Sequence, residues 1–590
     1  MKRIALIVLI MSSISELMAE SIKYKLTFPE AQAHYVDVEM EISGFKEKEL
    51  EIKLPVWAPG SYLIREFARH VESVQASSNN EKINIEKTNK NTWKFKNTNG
   101  NVKVYYRVYA FELTVRTSFI DESHAALNGS NIFMYVEGYK KLKFEVNIIP
   151  RENWKKISCG LAHDKNNPFK LYADDYDILA DSPIEIGNQD IIEFEALGIP
   201  HYVAMVGPGT YDKEKIKKDF IKIIETANSV FGKNPVKNYT FLVYNVNSGG
   251  GGLEHLNSTS LLVQRNAYST ENSYNSFLGL VAHEYFHLWN VKRLRPSVLG
   301  PFDYDQENYT HLLWVSEGFT AYYDNWIVKR VGYYTEDKYL EILANEISAQ
   351  VNLPGDKIQA LSESSFDAWI KYYRRNENSN NSQVSYYDKG SIAALLINLM
   401  IIEHSNGKQN LDDLMNFLYK EYYEKKNIGF DNNTFKQAAE KFTGRNLDKF
   451  YAEVIDGTAS INFENYLSVV GLKLVNQNAN KNESYLGVNA TNTNGKLNVT
   501  TVSKNGPAYS AGLNVNDEII AIDNYRVDDL TKALALKKVN DKISILVSRD
   551  GILKTIEITV AKNPNVKYKL EKNTNITKEQ ELALNKLLGK

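Results

Sequence analysis

The chain has 590 residues, of which 43% are hydrophobic and 24% are charged. These fractions exclude a disordered chain, and the length allows about three or four domains of ~150 residues each. The 70 Lys and Arg residues nearly balance the 72 Asp and Glu residues, for a formal net charge of −2. This balance argues against a polyanionic partner, so we expect no nucleic-acid binding.

The first 19 residues have the layout of a secretory signal peptide. Lys2 and Arg3 precede an apolar run over 4–11, and small and polar residues follow. That run is much shorter than the ~20 apolar residues of a spanning helix, and no later segment is long and apolar enough to span a bilayer. We therefore predict a signal peptide over 1–19, no membrane span, and export to the bacterial periplasm or exterior. The single Cys159 is compatible with this location.

Residues 20–195 are predicted to form an N-terminal domain of antiparallel β-structure. Short runs such as YKLTFPEAQAHYVDVEMEI and KLKFEVNIIP are rich in Val, Ile, Tyr, Phe and Thr, and Asn-Gly or Asn-Asn turns separate them. Apolar residues at a period of two between turn signals are typical of half-buried strands, and several such strands indicate a sandwich.

Residues 196–462 are predicted to form a mostly helical catalytic domain. Near its beginning, the run GGGGLEH contains Gly251, Gly252 and Glu254. A glycine run lets backbone N–H groups approach a ligand closely, and a carboxylate directly after it is able to hold a cation. The alternative is a flexible loop with a surface glutamate.

The stretch VAHEYFHLWN, residues 281–290, is the strongest sign of chemistry. Residues four apart share a helix face, so His283 and His287 are able to direct ring nitrogens at one zinc ion ~2.0–2.1 Å away. Glu284 is rotated by about 100° from His283 and reaches the attacking water without ligating the ion. The alternative is a buried helix that happens to hold two histidines, because short His-Glu-x-x-His matches also arise by chance.

A catalytic zinc needs a third protein ligand, which we predict to be Glu317 in HLLWVSEGFTAYYDNW. This segment has a helical pattern, and its Trp-x-x-Glu-Gly-x-Thr order distinguishes a metal site from a chance match. Asp324, two turns further on, is predicted to accept a hydrogen bond from a ligating histidine, with a surface aspartate as the alternative. His255 and His311 are rival ligands, but neither has a histidine four residues away.

The segment SYYDKGSIAALL, residues 385–396, contains Tyr387 at the predicted start of a helix. A tyrosine hydroxyl near zinc is able to donate a hydrogen bond to the oxyanion of a tetrahedral intermediate. One alternative is that Tyr387 only packs in the core. The other is that Tyr386, not Tyr387, donates this hydrogen bond.

Residues 466–563 resemble a PDZ domain. SYLGVNA includes Leu486, Gly487 and Val488, which match the loop that captures a peptide carboxylate, and GPAYSAGLNVNDEIIAIDN matches a second segment of that family, with Asn516 where glycine is usual. PDZ domains bind a peptide or protein C-terminus by adding a strand to a sheet edge. The alternative is a purely structural module. Residues 564–590 are predicted to form a tail with a short amphipathic helix.

Together, these segments resemble the glycyl aminopeptidase family of zinc metallopeptidases, which is related to the larger alanyl aminopeptidase and leukotriene hydrolase family. PVWAPGSYLIREFARHV and VRTSFIDESHAALNG are also similar to segments typical of this family. Thirty positions separate His287 from Glu317, the longer connection expected of the glycyl branch. The resemblance implies a multidomain α+β protein: an N-terminal antiparallel β-sandwich, a thermolysin-like, mostly helical catalytic domain and a C-terminal PDZ domain.

The resemblance also implies roles for the motif residues and one zinc ion per chain. The implied zinc ligands are His283, His287 and Glu317; the substrate-binding residues are Glu254, Gly251 and Gly252; the catalytic residues are Glu284, as general base and then proton donor, and Tyr387, at the oxyanion. In this family Glu254 binds the free α-amine of the substrate, and small N-terminal residues, Gly or Ala, are preferred.

We therefore predict an exported zinc aminopeptidase that hydrolyses the N-terminal bond of peptides with a free N-terminus. A thermolysin-like zinc endopeptidase is the first rival; in it Glu254 has no role and N-acetylated peptides are cleaved. A catalytically silent, PDZ-bearing scaffold that binds peptides is the second. The intact His283, Glu284, His287 and Glu317 argue against the scaffold. The sequence predicts no oligomeric state.

Overall fold

The computed structural model describes residues 20–97 and 100–590, so the signal peptide predicted over residues 1–19 lies outside the described residues. The chain divides into two compact units. The first takes in residues 20–58 and 65–188 as far as they are described, and the second takes in Pro59–Ile64 and Gln189–Lys590. Strands dominate the first unit, whereas the second combines a small sheet, many helices and a C-terminal β-region. The mixed α+β architecture predicted from the sequence is thus confirmed.

The first unit consists of short strands with two short helices. Its elements are β1 (Ser21–Thr27), β2 (Tyr35–Ser43), β3 (Glu49–Lys53), β4 (Val71–Ser78), β5 (Glu81–Ile83), β6 (Ile85–Asn89), β7 (Thr92–Lys96), β8 (Asn101–Tyr109), β9 (Phe119–Ile120), β10 (Ala125–Leu127), α1 (Gly129–Ile132), β11 (Tyr135–Val136), β12 (Phe144–Ile149), β13 (Lys156–Cys159), β14 (Ala162–His163), β15 (Lys170–Ala173), α2 (Tyr176–Ala180) and β16 (Ile184–Gly187).

These strands form one large and two small sheets. The large sheet has the order β14-β15-β12-β1-β2-β8-β4-β5, and the small ones are β13-β16-β10-β9 and β11-β3-β7-β6. The ladders are antiparallel except for β1 and β12, which pair in parallel. Along β2, Val36, Val38, Met40 and Ile42 are fully buried while their neighbours are less buried, which is the period of two expected of a strand with one face in the core.

The second unit begins with a five-stranded sheet followed by helices. Its elements before the PDZ-like range are β17 (Asp190–Ala196), β18 (Ile199–Val206), α3 (Lys213–Phe231), β19 (Tyr239–Val246), β20 (Gly251–Glu254), β21 (Ser258–Gln264), α4 (Glu271–Phe286), α5 (Phe319–Arg330), α6 (Glu336–Val351), α7 (Leu361–Phe366), α8 (Ser379–Ser382), α9 (Asp388–His404), α10 (Leu411–Leu418), α11 (Asn432–Thr443), α12 (Asp448–Phe450) and α13 (Glu464–Leu467). The sheet order is β17-β18-β19-β21-β20, so β20 lies at an edge.

The C-terminal region holds the PDZ-like fold between two strands that pair with each other. Its elements are β22 (Leu472–Asn476), β23 (Ser484–Tyr485), β24 (Val488–Thr493), β25 (Lys496–Val502), α14 (Pro507–Ala511), β26 (Glu518–Ile522), β27 (Tyr525–Arg526), α15 (Leu530–Ala535), β28 (Lys542–Arg549), β29 (Ile552–Thr559), β30 (Ala561–Lys562), β31 (Tyr568–Lys572) and α16 (Lys578–Leu587). β24-β25-β26-β28-β29 form its main sheet, while β22 pairs with β31 outside that sheet.

The tail after the PDZ-like fold packs back on the helical region. α16 begins with the capping box of Thr577 and Gln580. Near its end, the indole N–H of Trp326 in α5 donates to the carbonyl of Leu587 at 3.0 Å. Among the described residues, no helix is both long enough and apolar enough to cross a bilayer.

Candidate active site

The C-terminal end of α4 carries the His-Glu-x-x-His residues. The helix begins with a capping box, in which the side chains of Thr270 and Ser273 each accept a hydrogen bond from the other's backbone N–H. His283 and Glu284 lie in its last turns. His287 directly follows the helix, and its backbone N–H donates to the carbonyl of His283. The helix is therefore fixed at both ends, which a site needs for constant geometry.

Glu317 reaches the same place from a π-helical turn, Trp314–Gly318, that leads into α5. Such turns are frequent at functional sites. A methyl group on Gly318 would lie 2.5 Å from Cα of Gly390 in α9, closer than any real contact of this kind. The two glycines therefore allow the turn to meet the beginning of α9, which Tyr387 precedes.

Three side chains point polar atoms at one location. Oε2 of Glu317 lies 3.2 Å from Nε2 of His287 and 3.7 Å from Nε2 of His283. The three atoms lie within 4.8 Å of one another, so that one ion is able to contact all of them. Two imidazoles and one carboxylate, with a further position open, are the donor set of a catalytic zinc site.

The far nitrogen of each histidine is held by a second residue. Nδ1 of His283 lies 3.0 Å from Oδ2 of Asp324, and Nδ1 of His287 lies 2.7 Å from the carbonyl oxygen of Asn290. Both partners accept, so each ring carries its proton on Nδ1 and presents the lone pair of Nε2. This tautomer is the one that a metal needs, so the residues present fit a zinc ion.

Glu284 is buried beside these ligands without a hydrogen-bond partner on Oε2 in the described part of the chain. A methyl group on Gly252 would lie 2.0 Å from Oε1 of Glu284, so only glycine fits at this point of β20. Burial, opposed by the two histidines and supported by Glu254 and Glu317, raises the pKa of Glu284 to about 7. A carboxyl group with this pKa is able both to accept and to release a proton near neutral pH.

Glu254 ends the edge strand β20 and points into the same site. One carboxylate oxygen of Glu254, one of Glu284 and a ring nitrogen of His287 lie within 4.8 Å of one another. Glu254 is 4% exposed, and within residues 20–97 and 100–590 its Oε1 has no hydrogen-bond partner. The glycine run is not a free loop here, because Gly251 and Gly252 pair with Leu262 and Leu261 of β21.

Two adjacent tyrosines border the ligands at the start of α9. The ring of Tyr387 stacks 6.2 Å from the ring of His283, and the ring of Tyr386 lies 4.7 Å from that of Tyr387. The hydroxyl of Tyr386 is buried with no hydrogen-bond partner among the described residues. Burial, followed by nearby charges that include Glu317, raises the pKa of both phenols, so each stays protonated and able to donate.

Three family models match separate parts of the chain. They are the Peptidase M61 N-terminal domain over residues 23–188, the M61 glycyl aminopeptidase over residues 276–393 and a PDZ domain over residues 484–560. Among solved structures, an aminopeptidase N family protein from Idiomarina loihiensis has 32% identity and a TM-score of 0.90, and the match covers 96% of this chain and 99% of that one. The chain belongs to the M61 glycyl aminopeptidase family.

The family assignment confirms the resemblance predicted from the sequence and makes the chain a zinc aminopeptidase, a hydrolase of peptides. Two further solved structures are more distant. Yeast LTA4 hydrolase with bestatin has 14% identity and a TM-score of 0.43 over 76% of this chain and 67% of that one. An M1 zinc metallopeptidase from Deinococcus radiodurans has 12% identity and a TM-score of 0.48 over 75% and 94%. No curated protein matches the chain.

The two rival histidines lie elsewhere in this M61 chain. The backbone N–H of His255 donates to the carbonyl of Ser258 in the turn between β20 and β21. His311 stacks on Phe366 with ring centroids 4.6 Å apart. Neither belongs to a group of side chains in the described residues that is close enough to hold one ion.

Asn290 has a role that the sequence alone does not reveal. Its carbonyl receives the Nδ1 proton of His287, and its side-chain amide donates to the carbonyls of Val315 and Ser316 at 3.0 Å each. It therefore joins the end of α4 to the turn that carries Glu317. Asn290 closes the stretch VAHEYFHLWN, so a signal was present, although its partners 25 and 26 residues away were not predictable.

The PDZ domain of this M61 protein has its predicted carboxylate-binding loop between β23 and β24. Gly487 has a left-handed φ of +75°, and its carbonyl accepts from the backbone N–H of Ser503 at 2.7 Å. The carbonyl of Leu486 accepts from Ala508 at 2.9 Å. Val488 begins β24, which lies at the edge of the main sheet.

Proposed function

We propose that this zinc aminopeptidase removes one residue at a time from peptides with a free N-terminus and prefers Gly or Ala. The proximity of Glu254 to Glu284 and His287, within 4.8 Å, is the observation that carries the proposal. A buried carboxylate without a partner needs a cation, and the α-ammonium of a peptide supplies one. Because only the α-carbon separates this ammonium from the first carbonyl, an anchor so close to the hydrolytic centre selects the N-terminal bond.

Zinc held by His283, His287 and Glu317 would polarise the first carbonyl and activate a water molecule as the nucleophile. The two candidate donor groups share His287, which supports one ion per chain. Glu284 accepts the proton of the attacking water and returns it to the leaving amine, two transfers suited to a pKa of about 7. Tyr387 donates a hydrogen bond to the oxyanion, and Tyr386 is the other donor to be tested.

The proposal extends to location and to the PDZ domain. The signal-peptide pattern of residues 1–19 supports export to the periplasm or exterior, where peptides with free N-termini would be the substrates. The loop at Leu486, Gly487 and Val488 would bind a peptide or protein C-terminus beside β24.

The decisive experiment compares an Ala-peptide with its N-acetylated form, for the wild type and for Glu254→Ala. We expect the wild type to cleave only the free peptide, and Glu254→Ala to lower kcat/KM by at least ~100-fold, about the value of a buried charge pair. Equal cleavage of both peptides by the wild type would instead establish an endopeptidase. Zinc absent from the natively purified protein would point to a silent scaffold.

A further inference from the structure

Six residues of the second unit come from an unexpected part of the sequence. Pro59–Ile64 belongs to the second unit, although the residues before and after it in the chain belong to the first. It contacts β20, and it contacts Trp369 and Tyr373 between α7 and α8. β20 carries Glu254, and Tyr372, next to Tyr373, packs against the tyrosine pair with ring centroids 4.9 and 5.4 Å apart, so the segment lies beside the catalytic centre.

Gly60 lies directly against the carboxylate of Glu254. A methyl group on Gly60 would be 2.6 Å from Oε1 and 2.9 Å from Oε2 of Glu254, and 2.7 Å from Cδ1 of Leu253. Gly60 also has a left-handed φ of +83°, which favours glycine. Its carbonyl oxygen lies 3.5 Å from the hydroxyl of Tyr373. The position of the predicted amine anchor therefore depends on the absence of a side chain at residue 60.

Tyr62, two residues after Gly60, is buried among aromatic side chains. Its side chain is 2% exposed, and its ring makes edge contacts with Trp369 at 5.6 Å and with Tyr373 at 6.3 Å. Burial raises the pKa of Tyr62, and the charges of Glu317 and Glu254 raise it further.

A bound N-terminal residue would have its amine at Glu254 and its carbonyl near Glu317. Its α-carbon, and hence its side chain, then starts between these two carboxylates. The ring of Tyr62 packs against those of Trp369 and Tyr373, and the hydroxyl of Tyr373 reaches the carbonyl of Gly60, which itself lies against Glu254. Aromatic side chains packed in this way resist displacement, so little room is left for a large substrate side chain.

We propose that Gly60 and Tyr62 form the wall of the pocket for the N-terminal residue of the substrate. Gly60 is a positioning residue that seats Glu254, and Tyr62 limits the substrate side chain to about the size of Gly or Ala. This inference rests on the proposed aminopeptidase function and assigns its size selectivity to residues that none of the sequence motifs for catalysis contains.

The test for Tyr62 measures the ratio of kcat/KM for a Leu substrate to kcat/KM for an Ala substrate. A general loss of activity lowers both values and leaves this ratio unchanged. Aminoacyl coumarylamides of Ala and Leu are compared for the wild type, Tyr62→Ala and Tyr62→Leu, with zinc content measured for each. We expect the Leu/Ala ratio of kcat/KM to rise at least ~10-fold in Tyr62→Ala, since one or two methylenes of pocket space have about this effect. A smaller rise is expected for Tyr62→Leu. Tyr525→Ala, at a 77% exposed tyrosine of the PDZ domain, is the control. An unchanged ratio in both Tyr62 variants would overturn the assignment.

The test for Gly60 separates its effect on Glu254 from backbone strain. Gly332 has a similar φ of +89° but no heavy atom within 4 Å of an added methyl group, so Gly332→Ala introduces the strain alone. We expect Gly60→Ala to raise KM for Ala substrates at least ~10-fold and Gly332→Ala to change it less than ~2-fold. In a Glu254→Ala background, Gly60→Ala should then have little further effect. Equal effects of Gly60→Ala in both backgrounds would overturn its positioning role.

These outcomes are distinct from a failure of the proposed function. If Glu254→Ala leaves kcat/KM unchanged and N-acetylated peptides are cleaved, the aminopeptidase proposal is wrong. If Glu254→Ala lowers kcat/KM but the Gly60 and Tyr62 variants behave as the wild type, only the assignment of the pocket wall is wrong.

Discussion

The catalytic region and the PDZ domain share one compact unit but bury different kinds of side chain. In the catalytic region, Glu254, Glu284, His287 and Glu317 are at most 4% exposed. In the PDZ domain the buried core is aliphatic, with Ile543, Ile545 and Val547 of β28 at its centre. Asp517 is its only fully buried charged residue, and Arg549 pairs with both of its oxygens at 2.7 Å.

This difference separates a region built for stability from a region built for catalysis. A core whose buried polar groups are paired is stable without a ligand. The catalytic region instead holds carboxylates close together, with Oε1 of Glu254 and Oε2 of Glu284 unpaired among the described residues. Such groups destabilise the fold until a ligand joins them. Substitutions should therefore separate activity from stability in the catalytic region and lower stability in the PDZ domain.

The largest effect is expected from Glu284→Gln. Because Glu284 is the group proposed to transfer the proton, its removal should lower kcat by about 1,000-fold. The melting temperature should stay the same or rise, because a buried carboxylate among other carboxylates is replaced by a neutral group of equal size. Fluorogenic Ala-amide hydrolysis and thermal melting measure the two quantities. Glu271→Gln, at the other end of α4, is the control. A drop in melting temperature with Glu284→Gln would contradict the view that the unpaired carboxylates destabilise the catalytic region.

In the PDZ domain, Ile545→Ala should lower the free energy of unfolding by about 3 kcal/mol, because it leaves a cavity in an apolar core. Ile545 is fully buried, whereas Ile552 on the neighbouring β29 is 63% exposed. Ile552→Ala should therefore change stability by less than about 0.5 kcal/mol. Denaturant titrations followed by fluorescence measure both. Similar values for the two variants would show that this core is not the main source of stability.

Asp324→Asn tests the carboxylate whose Oδ2 lies 3.0 Å from Nδ1 of His283, a predicted zinc ligand. The amide no longer holds the Nδ1 proton of His283 as strongly, so zinc affinity should fall about 10- to 100-fold. Competition with a chelator measures the affinity. Asp337→Asn, on the surface of α6, provides the matched change and should leave zinc affinity as it is.

The smallest effect concerns pH. His201 in β18 is fully buried and neutral: Nδ1 donates to the carbonyl of Ile199 at 2.9 Å, and Nε2 accepts from the hydroxyl of Tyr285 at 3.1 Å. Burial lowers its pKa to about 4. The unfolded chain, with a pKa near 6.5, therefore binds more protons between these values, and the stabilisation present above pH 6.5 is lost as the pH falls toward 4.

From pH 6.5 to 5 this loss should reach about 2 kcal/mol in the wild type. In His201→Asn the same interval should have a clearly smaller effect, which thermal melting at both pH values detects. The PDZ range 466–563 contains no histidine, so no histidine of that domain contributes to the loss. An identical pH response in both proteins would rule His201 out as its source.

The parts that the sequence predicts are those set by local geometry. His283 and His287 face one way because they are four residues apart on a helix, and Asp324 shares a face with Glu317 because it follows by two turns. The family and the enzyme class follow from the resemblance that these motifs carry, and the fold class follows from that resemblance together with the strand and helix patterns. The strands of the first unit are visible as a period of two.

The features of the structure that the sequence does not predict depend on contacts between segments that are remote in sequence. The contact of Gly318 with Gly390 and the π-helical turn need two helices to meet. The short helix α8 is held by a contact remote in sequence, because the side chain of Asn381 donates to the carbonyl of Val502 and accepts from the N–H of Lys504. Residues 59–64 carry no pattern that links them to β20, because their role rests on one glycine and one tyrosine.

The pairing of α5 with α16 has a consequence for the order of synthesis. Trp326 bonds to Leu587, 261 residues later, and the whole PDZ domain lies between them. At 5–20 residues per second a ribosome needs about 13–50 s to cover this distance. During that time the helix that bears Asp324 has been made but its partner has not. The peptidase thus spends this time on the ribosome with an incomplete catalytic region.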